Sequence, residues 1–145
     1  MEFNHFLIAQ DSVYEQVLRE LADGRKQSHW MWFIFPQLKG LGYSAISHQF
    51  GLDSVAAAGR YFHHELLGCR LCECTRFVLN IKNRRAEEIF GFTDGMKFRS
   101  CMTLFSLCSP PEILFQRSLD KYFGGVLDTK TVALLAQGSQ PPSRK

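Results

Sequence analysis

The stretch "SHWMWFIFPQLKGLG", Ser28 to Gly42, packs two tryptophans, two phenylalanines, an isoleucine and a methionine beside one histidine, stops at Pro36 and opens into a glycine turn. Such a block is an aromatic core plug, a membrane-seeking segment or the wall of a binding site. Length removes the membrane: a spanning helix needs about 20 apolar residues, and the run from Trp30 to Phe35 is only six long when proline interrupts it. Ser28 is placed to cap a short helix. Pro36 limits that helix, because its ring clashes with the carbonyl four residues back and pushes Phe35 out of helical angles. Apolar residues fall on every side of the segment, and a helix apolar all round is buried all round. Phe33, Ile34 and Phe35 are therefore expected in the core, each large side chain contributing about 1.5–3 kcal/mol of burial. Trp30 and Trp32 differ, since a buried indole N–H needs a partner. They are the members of the block expected to line a polar-edged pocket.

The whole chain suits that core. Its 145 residues make one domain, placed at residues 1–137 with a loose tail at 138–145. An apolar fraction of 46% with 21% charged residues predicts a compact chain rather than a disordered one. The net charge of +3 is mild and its lysines and arginines are scattered, so nucleic acid is not indicated. "MEFNHFLIAQDS" carries no basic segment, signal-length apolar run or cleavage site, and the expectation is a cytoplasmic protein. Five cysteines, an odd number in such a chain, read as reduced thiols.

Helical punctuation recurs outward from the block. In "DSVYEQVLRELADG", Ser12 and Glu15 suggest a capping box, Tyr14, Val17, Leu18 and Leu21 recur at helical spacing, and Gly24 is a stop. "DSVAAAGRYFHH" offers Asp53 as an N-cap, and "LLGCRLCECTRFVLNI" continues with Leu67, Leu71, Val78 and Ile81 after a hinge near Gly68. "RRAEEIFG" closes at Gly91, "TDGMKFRSCMTLFSLCSPP" begins with Thr93 or Asp94 as cap and ends at Pro110/Pro111, "PPEILFQRSLDKYFGG" runs from Pro111 to Gly124/Gly125, and "DTKTVALLAQG" repeats the pattern. No alternating segment is flanked by hairpin turns, so strands are incidental. The prediction is an all-α fold, a compact multihelical single domain of about seven to eight short helices.

Within the block, His29 titrates near neutrality when unperturbed and is a candidate general base, proton donor or ligand-binding group. A first-turn histidine bonded to backbone is the ordinary alternative, and Gln37 faces the same choice. "LKGLGYS" places two glycines and Lys39 before Ser44, a candidate N-cap, a composition from which an anion-binding helix start is made. It lacks the phosphate-loop pattern, so a tight turn is the default.

"GRKQSHWMWFIFPQLKGLGYS", with "RLCEC", "DGMKFRSCMTLF" and "FGGVLDTKTVALL", resembles a bacterial family of uncharacterised single-domain proteins, sometimes loosely labelled calpastatin-like, from about Phe6 to Leu135. The resemblance implies a mainly helical domain and carries no reaction with it. The calpastatin label fits poorly, because calpain inhibitors are long, disordered, repeat-bearing chains. The family's motifs fall on Lys26, His29, Trp30, Trp32, Pro36, Gln37, Gly40, Gly42 and Ser44, and on Asp94, Lys97, Ser100, Thr103, Leu104 and Phe105. Cys101 stands where the family often has a second serine.

On a helical wheel Phe98, Cys101, Met102, Leu104, Phe105 and Cys108 form one apolar face, with Asp94 and Lys97 on its first turn. Asp94 reads as an N-cap, whereas Lys97 at a helix start opposes the macrodipole. The functional expectation is therefore a pocket for a small anionic or nucleotide-like ligand, drawn from Lys26, His29, Trp30, Trp32, Gln37, Asp94, Lys97 and Ser100. Interior hydroxyls such as Ser100 and Thr103 ordinarily bond back to their own helix. The competing expectation is a non-catalytic protein-interaction module in which the aromatic block is purely structural. No G-x-S-x-G elbow, paired-carboxylate spacing or cofactor motif is present. Cys69, Cys72 and Cys74 follow His63 and His64, but Cys74 points about 200° away from Cys72 on a helix, so these are expected to be core thiols rather than metal ligands.

Overall fold

A computed structural model describes residues 2–108 and 112–138. The expected Pro110/Pro111 stop and the tail from 139 onward lie outside the described residues. The described chain folds as α1 (Asn4–Asp11), α2 (Tyr14–Ala22), α3 (Met31–Ile34), α4 (Ala45–Phe50), α5 (Val55–His63), α6 (Leu67–Leu79), α7 (Ala86–Phe90), α8 (Phe92–Ser106), α9 (Ile113–Phe123) and α10 (Thr129–Gly138). Among these residues β-structure is confined to a single parallel bridge, Leu38 to Leu52. No helix there is long and apolar enough to cross a membrane.

The ten helices of the described residues exceed the seven or eight expected, and α1 is one that no local signal marks. α1 has Phe3 at its N-cap with no side-chain bond and no acid in its first turn, so no capping signal marks it. Tertiary packing holds it instead: the Phe6 ring lies 5.2 Å from Phe50 and 5.0 Å from Tyr61. Ser12 belongs to the end of α1, donating to the Ala9 carbonyl, and α2 starts after Val13 without a capping box. Asp53 is one residue early as a cap. Ser54 does that work, accepting from Ala57 N at 3.0 Å, while Asp53 pairs with Lys39.

Glycine and proline punctuation fares better. Phe35 leaves helical angles before Pro36, and α3 is a single turn. Gly91, at φ +83°, joins α7 to α8, and Gly124, in the left-handed region at φ +62°, ends α9. Gly68 is a contact point rather than a hinge. It lies in the first turn of α6, and a Cβ there would sit 1.9 Å from the Phe62 carbonyl oxygen.

α8 runs through the centre, against α5, α7, α9 and α10. Its apolar face from Phe98 to Cys108 is buried, together with Trp30 through Phe35 of the aromatic block. Phe98 joins the two, 5.0 Å from Phe35 and stacked on Phe90 at 4.9 Å. That junction carries the N-terminal turn of α8 to the loop preceding α3, where the candidate residues lie.

Candidate functional site

The local architecture begins at Glu20 on α2, a residue only 7% exposed. Its carboxylate accepts from the amides of Gln27 (2.7 Å) and Ser28 (3.0 Å), the Ser28 hydroxyl (2.6 Å), the Gln16 amide (3.0 Å) and the Trp30 indole N–H (2.9 Å). Burial works against its charge. The bonds from Ser28, Gln27 and Gln16 more than offset that and hold its pKa down at about 2. A charged side chain of α2 thus shapes the loop from Gln27 to Trp30. Ser28 serves this carboxylate instead of capping α3, whose N-cap is Trp30.

On the other side of that loop, Lys26 donates its backbone N–H to the Ile89 carbonyl at 2.7 Å and its ammonium to the Ser28 carbonyl. The same ammonium pairs with Asp94 Oδ2 at 2.8 Å and sits 5.0 Å from the Trp30 ring centroid. Asp94 Oδ1 lies 3.3 Å from Lys97 Nζ, which is 5.6 Å from the Trp32 centroid. Asp94 is not an N-cap, because α8 begins two residues earlier after Gly91. Its position in the helix lets it bridge two lysines and compensates Lys97 for the unfavourable macrodipole.

The structure thus brings together Lys26, Trp30, Trp32, Asp94 and Lys97. Trp30 is fully engaged by Glu20, whereas no hydrogen bond to a described residue engages the Trp32 indole N–H. The 40–42 turn leans on that ring: a Cβ on Gly42 would come within 2.9 Å of Trp32. Ser44 caps α4 as expected, accepting from Ser47 N. Lys39 Nζ lies 3.3 Å from Asp53 Oδ1.

Three expected members stand apart. His29 is exposed, and no hydrogen bond or ion pair to a described residue engages it. Gln37 is 2% exposed and its side-chain amide nitrogen has no partner among the described residues, while its backbone carbonyl accepts from Leu52 N. The Ser100 hydroxyl donates back to Met96, as helix hydroxyls do. Thr103 departs from that habit, its oxygen accepting the Asp128 N–H at 2.9 Å and tying α10 to α8.

The lysine–tryptophan group of Lys26, Lys97, Trp30 and Trp32 lines none of the cavities described. The largest cavity described, about 510 Å³, is apolar and lined by Leu38, Val55, Leu107, Val132, Leu134 and Leu135, with Asp53 and Ser54 at its edge. Among the described residues no cluster of three or more His, Cys, Asp or Glu is arranged to hold a metal ion. Sequence reasoning missed Glu20. Its sole signal was a place on the flank of the Val17–Leu21 stripe, where a glutamate needs a partner.

Fold and site define a small all-helical domain whose aromatic block is stapled to a central helix by a lysine–aspartate–lysine bridge. The chain belongs to the family described as "Protein of unknown function (DUF1810)", whose profile matches residues 1–135. Its structure is similar to that of the conserved hypothetical protein Rv1873 from Mycobacterium tuberculosis, with 47% identity, coverage of 93% of this chain and 96% of that one, and a TM-score of 0.91. No curated protein matches it.

Proposed function

We propose that the Trp32–Lys97 face binds a small anionic or nucleotide-like ligand in the cytoplasm. One observation supports this: Lys97 Nζ lies 5.6 Å from the Trp32 ring centroid, and no hydrogen bond to a described residue engages the Trp32 indole N–H. Lys26 and Asp94 pair beneath Lys97, and Glu20 is occupied by Ser28, Gln27, Gln16 and Trp30, which leaves Lys97 as the outward-facing charge of the network. Lys97, with its side chain 29% exposed, is the ammonium able to meet a ligand, while Lys26 at 8% holds the bridge together. An ammonium pairs with a phosphate or carboxylate, the contact a small anionic ligand needs. The free thiols accord with a reducing compartment.

The test is a thermal-shift panel of nucleotides and phosphosugars, followed by titration of any hit against Lys97→Ala and Trp32→Phe. Loss of an ion-paired contact is expected to weaken binding roughly tenfold or more. No hit, or a hit that binds both variants as it binds the parent, rejects the proposal.

A second reading, a non-catalytic interaction module, draws on the apolar cavity between α5, the end of α8 and α10, with Leu107, Val55 and Val132 exposed at its rim. It predicts that Leu107→Asp removes a function that Lys97→Ala leaves intact.

A further inference from the structure

We propose that Cys69 and Cys72 form a reversible intramolecular disulfide, which makes the first two turns of α6 a hydroperoxide-reactive modification site independent of the Trp32–Lys97 face. Two residues three apart on an α-helix have Cα atoms about 5 Å apart and lie on neighbouring turns of one face. That Cα separation falls inside the range of roughly 4.4–6.8 Å found for disulfides, and closure draws the Cβ atoms in from about 5–6 Å to about 4 Å by a local tightening of the first turns of α6. Both cysteines line one open cavity of about 360 Å³, together with Phe62, His63, His64 and Arg76.

The five thiols divide by access. Cys69 is exposed and Cys72 half-buried, while Cys74, Cys101 and Cys108 are buried. Burial pushes the Cys74 thiol up to about 12 and Cys108 to about 11, and raises Cys101 well above its ordinary value. Those three stay protonated and shielded. Cys74 is in addition turned to the other side of α6, donating to the Tyr14 hydroxyl. Burial first, and then the Glu112 carboxylate, raise Cys72 as well, so Cys69, the exposed thiol of the pair, meets the peroxide first.

The turn that presents the pair is held in place. The backbone N–H groups of Leu66 and Leu67 both donate to His64 Nδ1 at 3.2 Å, and Gly68 packs without a side chain against the Phe62 carbonyl. Cys69 follows directly on this turn, at the start of α6.

The chemistry balances with a hydroperoxide as oxidant. The Cys69 thiolate attacks the terminal peroxide oxygen, the O–O bond breaks, and a sulfenic acid forms while the departing oxygen takes a proton and leaves as water or alcohol. Cys72 sulfur then attacks the Cys69 sulfur; the S–S bond forms, the S–O bond breaks, and the hydroxide leaves with the Cys72 proton as water. Two thiols lose two protons and two electrons, and the peroxide gains them. A dithiol reverses the step by exchange.

The test exposes the reduced full chain to stoichiometric hydrogen peroxide, alkylates it without reduction and maps the peptides by mass spectrometry. Loss of two hydrogens located to a Cys69–Cys72 cross-link, reversed by dithiothreitol, is expected. Cys72→Ser should stop at a Cys69 sulfenic acid trapped by dimedone, and Cys74→Ser should cross-link as the parent does. No loss of hydrogens, a cross-link to another cysteine, a disulfide-linked dimer or sulfinic acid at both positions each overturns the proposal. The unsubstituted chain alone decides it, so no variant's failure to fold leaves it open.

Discussion

The indole N–H of Trp30 donates to the Glu20 carboxylate over 2.9 Å, joining the aromatic block to α2 through a charge that sits almost out of solvent. Glu20→Ala removes the acceptor from two backbone N–H groups, a hydroxyl, an amide and an indole at once. The expected loss is on the order of 3 kcal/mol in urea unfolding, with Glu20→Gln milder because it keeps one oxygen. A loss below about 0.5 kcal/mol for Glu20→Ala would show that the network contributes nothing net.

Glu20 also predicts an acid dependence. Its folded pKa, at about 2, lies below the ordinary value of 4.5. The stabilisation from its charged form is therefore fully present above the unfolded pKa and is lost as pH falls through the folded one. Unfolding free energy should decline between about pH 4.5 and pH 2. In Glu20→Gln that decline should be shallower; equal slopes in parent and variant would place the acid sensitivity elsewhere.

Asp94 and Lys97 should separate in a stability measurement. Asp94→Ala strands Lys26, whose side chain is largely buried, and is expected to cost about 3 kcal/mol. Lys97→Ala leaves the Lys26–Asp94 pair standing and, being partly exposed, should cost no more than about 1 kcal/mol. Melting temperatures in that order support the bridge, and the reverse order contradicts it.

Gly68→Ala places a methyl group 1.9 Å from the Phe62 carbonyl oxygen. α5 and α6 must move apart, and a loss of about 3 kcal/mol is expected from thermal or urea unfolding. The same substitution at Gly59, which meets nothing within 4 Å, should be neutral or stabilising.

Gln37 offers the opposite sign. Its buried amide nitrogen has no partner among the described residues, so Gln37→Met removes an unsatisfied donor at similar volume and should leave stability unchanged or raise it by about 1 kcal/mol. A loss above about 2 kcal/mol would mean that the amide is satisfied in solution.

Much of the fold was legible because its signals are local. Pro36 halts α3, Gly91 and Gly124 occupy positive-φ positions, Ser44 caps α4, and the α8 stripe from Phe98 to Cys108 repeats at helical spacing. α1 escaped because Phe3 and Phe6 earn their places through Phe50 and Tyr61, distant in the chain. Ser12, Ser28, Asp53 and Asp94 were all plausible caps, and each was drawn to another partner. Short polar side chains near a helix start advertise capping whether or not the backbone begins there.

By itself, then, the sequence determined that the chain is all-helical, where most of its helices stop, and that the tryptophan block is interior, since these follow from backbone sterics and the spacing of apolar side chains. Only the tertiary structure decided which polar groups meet: Glu20 with Trp30, Asp94 with both lysines, and His29 with none of them. The physical reason is that a buried charge takes whichever donor packing brings within reach, and that proximity is set by helices far apart in the chain.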